Sequence, residues 1–450
     1  MSQASHQGGA TGVAAPPVAA VTTTAPTAPP ATTPVPPGLP TPSPATAAPG
    51  VKRMDTPQRL RVLSLGVVVA CVVVALVGGL IFSYLAFSLS RARADTAQLI
   101  RIQKIESNLL SADATATNAF LVGGLEPAAQ RAMYDQALSS TSSLIVEAAQ
   151  AQPADAAALS ALNQQVASYA ATIEQARANN RQGIPVGAQY LRNASADLRS
   201  TALPILDNLV SSNAARAADG MDARVGYVLP VISLLALVGV IVGQIWLARR
   251  FKRRINVGML ASAVVLLVIT VGGLLAAQQL KSTLSSISNG SFAAVNTAAD
   301  ARIDANNAKS NESLTLIARG SGQAFEDAWK SSADSVAGNL GRLSERPELM
   351  TQWQAYADVH DKIRDLDEGG RWERAVALAT GSERDSSNTV FGTFDRNLAS
   401  YLDEVSENAS SSLANEQPAL VVGAILILLG GLAAALLGRW GIAARLKEYR

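Results

Sequence analysis

One cysteine (Cys71) and two histidines (His6 and His360) are all that this chain of 450 residues carries. A single cysteine excludes an intramolecular disulfide framework and every zinc site built on several thiolates. Two histidines leave little for metal binding or for Ser-His-Asp chemistry. Neither a Walker-type phosphate loop nor a nucleophile elbow occurs in the sequence. Charge is scarce as well. Asp, Glu, Lys and Arg make up 16% of the chain, where a soluble protein usually has about 25%. The net charge of +2 excludes a uniformly basic nucleic-acid binder. No catalytic residue, no cofactor and no metal are therefore expected, and the chain reads as a non-enzyme.

Apolar residues and prolines are plentiful, and both are segregated. Residues 1–61 hold 13 of the 20 prolines and no apolar periodicity. Proline blocks helix and sheet ladders, so this segment is expected to be a disordered tail of polyproline II character. Its threonines at 22–24, 27, 32, 33, 41, 46 and 56 are candidate phosphate acceptors, with an inert spacer as the plainer reading. Four runs then follow at 62–89, 226–247, 255–277 and 419–438, without a single Asp, Glu, Lys, Arg or His. Each is about 20 residues or more, enough to cross a hydrocarbon core as a helix. The first is too long, and too far from the start, for a cleaved signal, so it reads as a retained anchor. Bare spans also argue against an ion-coupled transporter.

The segments between the runs sort by charge. The tail, the short loop at 248–254 and the end at 439–450 together carry thirteen basic and two acidic residues. The long segments 90–225 and 278–418 carry 11 against 12 and 13 against 21. By the positive-inside rule, both termini and the short loop are cytoplasmic and both long segments extracytoplasmic, in a multi-pass plasma-membrane protein.

Both long segments show helical periodicity. Ile102, Ile105, Leu109, Ala112, Ala116 and Ala119 alternate at spacings of three and four, as do Leu159, Leu162, Val166, Tyr169, Ile173 and Ala176. Stop signals at GGLEP (123–127), AQP (151–153) and NNRQGIP (179–185) divide the first segment into four helices. The outer two are expected to run unbroken into the flanking spans. GSG (320–322), Arg346-Pro347 and Gly369-Gly370 divide the second in the same way, with a short amphipathic piece at RWERAVALATG. The expected fold is an all-α membrane protein: four transmembrane helices, two extracytoplasmic four-helix bundles of coiled-coil character, and the tail. Residues 62–250 and 255–440 form a parallel repeat, and an offset of 196 sets DATATNAFLVGG (113–124) over KSNESLTLIARG (309–320). Gly239, Gly243, Gly430, Ala434 and Gly438 are spaced for close helix contact within one chain or in a homodimer. His360 stands among Asp358, Asp361, Asp365 and Asp367 and reads as part of a solvated helix face rather than a metal or pH-sensing site.

The strings LLSADATATNAFLVGGLEP (109–127), NAKSNESLTLIARGSGQAFEDAW (307–329) and AVALATGSE (375–383) resemble the GlnX family of actinobacterial four-span membrane proteins. In architecture the resemblance covers roughly residues 60–445. It implies partners: an extracytoplasmic solute-binding lipoprotein for glutamine or glutamate (GlnH) and a cytoplasmic Ser/Thr kinase (PknG). The implied role is a transmembrane sensor or relay between the two, with a scaffold that passes no signal as the alternative. No catalytic residues carry over. From the residues themselves, Asn118, Phe120, Asn311, Glu312 and Arg319 are candidates for a ligand or partner surface at the bundle ends, with Asn311 and Arg319 on one helix face. Helix capping and solvated polar residues are the competing reading. The acidic second segment suits a basic patch on a partner better than an acidic amino acid.

Overall fold

The computed structural model describes residues 56–251 and 255–446. Most of the expected tail, the arginines at 253 and 254 and the last four residues lie outside them. Every regular element among the described residues is helical. The first repeat comprises α1 (Thr56–Val122), α2 (Ala128–Ala151), α3 (Ala156–Arg181), α4 (Val186–Asp197), α5 (Leu203–Gly220) and α6 (Val228–Phe251). The second comprises α7 (Val257–Ile287), α8 (Ala293–Ala318), α9 (Gln323–Arg342), α10 (Pro347–Glu368), α11 (Trp372–Thr380) and α12 (Ser387–Leu446).

Local chemistry explains the helix ends. α1 stops at Gly123 and Gly124, whose φ of 67° and 59° is left-handed backbone that glycine adopts without strain. Pro153 and Pro347 open the helical turns after the next breaks. Both 3-4 stripes are buried in the first bundle's core, from Ile102 to Ala116 on α1 and from Leu159 to Ala176 on α3. In the second bundle the core is aromatic, with Trp353, Tyr356, Phe391 and Phe394 packed in tilted and edge-on pairs at centroid distances of 5.1–6.3 Å.

The helices that lead into the apolar runs are not all continuous. α1 and α12 each pass from bundle to apolar run without interruption. α7 reaches α8 through one π-helical turn, Ser288–Phe292. The fourth junction departs from expectation. α5 ends at Gly220, and Met221–Ala223 and the tight turn Arg224–Tyr227 separate it from α6. Asp222 causes part of this, because its Oδ1 takes the Arg224 backbone N–H at 2.9 Å, a side-chain turn that competes with the helix.

All four apolar runs are helices long and apolar enough to cross a membrane. They pack around Cys71, Val74, Leu266 and Ala434. Outward they present Leu80, Leu235, Val268 and Leu436, each 65–69% exposed. A belt of that size is unfavourable in water and compatible with a multi-pass membrane protein. Helices approach closely where glycine permits: a Cβ on Gly431 would lie 2.6 Å from the Ala75 Cβ, and one on Gly258 would meet Gly441. Gly438 faces Val67, whereas Gly239 faces open space and takes no part in packing. Asn256 caps α7 through the Met259 N–H and donates to the Gly441 carbonyl at 2.8 Å, tying α7 to α12.

Candidate functional site

Where the two repeats meet, α1 lies along α8. The pairs that hydrogen-bond across this seam are Gln103–Asn296, Asp113–Ser310 and Asn118–Ser313. Their separations of 193, 197 and 195 residues lie within three residues of the repeat offset. Each helix therefore faces its own counterpart, as two subunits do about a two-fold axis. α8 is consequently central, with neighbours on both sides. Its stretch Lys309–Leu316 is buried without a break despite its polarity.

Asp113 is the first hub. Its carboxylate is fully buried and accepts from Tyr169 Oη (3.2 Å) and Ser195 Oγ (2.6 Å) on one oxygen. On the other oxygen it meets Ser310 Oγ at 2.8 Å and the Arg199 guanidinium at 3.1 Å. Four helical segments thus converge on one carboxylate, and burial beside it pushes the Tyr169 phenol well up. Ser310 is the donor that arrives from the other repeat.

Asn118 is the second hub, again across the seam. Its amide N–H group donates to the Ala379 carbonyl (3.2 Å) and to Ser313 Oγ (3.4 Å). Its oxygen accepts from Gln130 (3.0 Å) and Asn388 (2.8 Å).

One face of α8 further round carries a buried ion network. Lys309 Nζ donates to Glu312 Oε1 (2.7 Å) and Ser387 Oγ (2.6 Å), and Ser387 passes a bond to the same Glu312 oxygen at 2.7 Å. His360 bridges two carboxylates, with Nδ1 3.2 Å from Glu312 and Nε2 3.2 Å from Glu326. Its ring stacks on Trp329 at 3.6 Å. Arg364 lies 3.2 Å from Glu326 and pairs with Asp367 at 2.7 Å. Burial alone would raise the Glu312 carboxyl, but Lys309 and His360 outweigh it and hold it at about 2. His360 is likewise drawn down by burial, yet its bonds to Glu312 and Glu326 raise it above its usual value. An imidazolium between two carboxylates is the arrangement this favours.

Sequence reasoning and structure part company at several residues. His360 is not on a solvated face: it is fully buried, while Asp358, Asp361 and Asp365 of the same helix are exposed. Asn118, Asn311 and Glu312 are interior, at 3%, 6% and 1% exposure, and Asn118 and Glu312 bond to side chains of other helices. Arg319 does not share a face with Asn311, because α8 ends at Ala318 and Arg319 leaves it at φ +38°. Its exposed guanidinium stacks 3.8 Å over Trp372. Phe120 is half-buried against the first bundle and lines a hollow of about 260 Å³ at the tip with Arg131, Glu174 and Arg177. Asp113, Lys309, Glu326 and Arg364 were not singled out. The offset alignment that sets Asp113 over Lys309 was the available signal, since it pairs an acid in one repeat with a base in the other.

The network's bonds span 2.6–3.4 Å, so a helix shift of about 1–2 Å would break several together. Comparison with known proteins bears on the first half of this seam. No curated protein and no solved structure matches the chain. Residues 88–222, the first bundle with the end of the first apolar run, match the family model of an actinobacterial sensor domain.

Proposed function

We propose that this protein is a non-enzymatic plasma-membrane relay, with both termini cytoplasmic and both bundles extracytoplasmic. In this reading an extracytoplasmic solute-binding lipoprotein engages the bundles, and the resulting state passes to a cytoplasmic Ser/Thr kinase. The similarity of residues 88–222 to an actinobacterial sensor domain supports the sensing half. The sorting of basic residues supports the orientation.

The observation that carries the reading is the buried polar seam on helices that lead into the apolar runs. A seam made only for stability would be cheaper as packed hydrophobes, because buried charges lose solvation that their partners barely restore. Buried polar contacts do specify register, and α1 carries that register unbroken from Asn118 into its apolar run. Docking at the tip would move α1 against α8, and the apolar helices would report it inside.

The test uses the full chain in cells with a photo-crosslinker at Leu125, which is 86% exposed in the tip turn. Capture of an amino-acid-binding lipoprotein, together with loss of amino-acid-dependent kinase phosphorylation in Asn118→Leu, is the expected result. No captured lipoprotein, and a phosphorylation response that survives deletion of residues 255–450, would overturn the reading.

A further inference from the structure

Membrane-ward of the Asp113 hub, the seam opens into a hollow of about 340 Å³ between the repeats. This is within the size range of small-molecule sites. Glu106 of α1 and Gln103 one turn before it form its base. Asp207 of α5, Asp300 and Asp304 of α8, and Asn339 of α9 complete its polar wall. Among the described residues no Lys, Arg or His lines it.

Two buried groups at the base lack partners. Glu106 is 6% exposed, yet among the described residues no donor or cation meets its carboxylate. Gln103 is 3% exposed; its amide N–H group is committed to Asn296, and its Oε1 has no partner. Buried acceptors without donors are costly and rare. Here Gln103 Oε1 is such an acceptor, beside a Glu106 carboxylate that no cation meets and beneath three further carboxylates. Ser335 satisfies one Asp304 oxygen, and Arg342 on α9 offsets part of the repulsion at Asp300. Nothing offsets it at Glu106. Burial, then Asp207, Asp300 and Asp304, push that carboxyl up to about 8.

We propose that this hollow binds a small organic cation with two or more separated ammonium groups, held at one end by Glu106 and Gln103 and at the other by the aspartates of α5 and α8. A single-point cation fits less well: among the described residues no three His, Cys, Asp or Glu side chains are grouped to hold a metal ion. Val210 and Ile303 complete the wall and suit an alkyl chain between the ammonium ends. A bound dication joins α1 and α5 of the first repeat to α8 of the second, so occupancy favours the closed seam. The inference rests on the hollow alone and does not depend on the relay reading.

Calorimetric titration of the full chain in lipid nanodiscs with 1,4-diaminobutane tests it, with Ca²⁺ as the comparison cation. One saturable site per chain is expected, weakened at least about tenfold in Glu106→Gln. Affinity should rise by about tenfold per pH unit between pH 6 and 8, because binding displaces the proton that Glu106 holds in the empty site. Asp304→Asn, on the opposite helix, should weaken binding comparably, so the test stands if either variant folds. Glu106→Gln keeps the neutral state that Glu106 holds in the empty site, so the unliganded variant should melt no lower than the parent. Absence of saturable diamine binding at pH 8 would overturn the proposal. So would unchanged affinity in both variants, or binding of Ca²⁺ with none of the diamine.

Discussion

Removing the charge of Glu312 should loosen α8 far more than its small chemical change suggests. Glu312→Gln keeps the shape of the side chain and one acceptor. It leaves Lys309, only 4% exposed in its side chain, without a counter-charge. Two routes give the cost. Holding the carboxyl at about 2 rather than its usual 4.5 corresponds to roughly 3 kcal/mol at 1.36 kcal/mol per pH unit. Breaking a buried ion pair from one side costs about 3–5 kcal/mol in general. The two agree, and both imply about a hundredfold change or more in the opening equilibrium. Because the folded-state value lies below the unfolded one, this contribution is present in full above pH 4.5 and fades as pH falls towards 2. Hydrogen exchange on the intact chain reads the effect locally. Amides of α8 around Lys309–Leu316 should lose about a hundredfold in protection in Glu312→Gln. The double variant Lys309→Met with Glu312→Gln should regain most of it, since the amide oxygen still accepts from Ser387 or His360 while no uncompensated ammonium stays buried. A loss below tenfold in the single variant, or a double variant no better than the single, would refute the view that a desolvated ion pair holds this helix.

Other perturbations separate the remaining parts. His360 is raised in the folded state, so its contribution is complete below pH 6.5 and is lost as pH climbs through the folded value. Melting temperature should therefore decline on the alkaline side, and His360→Gln should flatten that slope. An identical slope in the variant would assign it elsewhere. Asp113→Asn keeps the shape but gives the buried site an extra donor where Tyr169, Ser195, Ser310 and Arg199 already donate. A cost of about 2 kcal/mol or more is expected in thermal unfolding, and cysteines introduced across the α1–α8 seam should crosslink faster. Gly431→Leu drives a side chain into Ala75, where even a Cβ would stand 2.6 Å away. Overpacking of about 1–3 kcal/mol is expected, measured as loss of folded protein in detergent, whereas Gly239→Leu, facing open space, should be harmless.

Much of the architecture follows from local rules that act over one or two helical turns. Apolar runs without charge specify the four long helices, and the 3-4 stripes specify the bundle faces. Glycine and proline punctuation fits the helix ends at Val122, Ala151, Arg181 and Glu368. The junction after Gly220 escaped these rules, because a two-residue side-chain turn at Asp222 competes with a helix that otherwise looks continuous.

The candidate site was harder to read, and the reason is physical. A polar stretch such as Lys309–Thr315 looks solvated when one helix is considered alone, since burying charge is costly without partners. Its partners are Asp113, Asn118, His360 and Ser387, which lie 48 to 197 residues away. Scarcity of histidine and charge was legible at once. That one of the two histidines would sit at the centre of a buried ion network was not legible. Composition and periodicity determine which segments become helices and which of those are apolar. Only the packing of one repeat against the other decides which polar residues leave water, because burial is a property of neighbours.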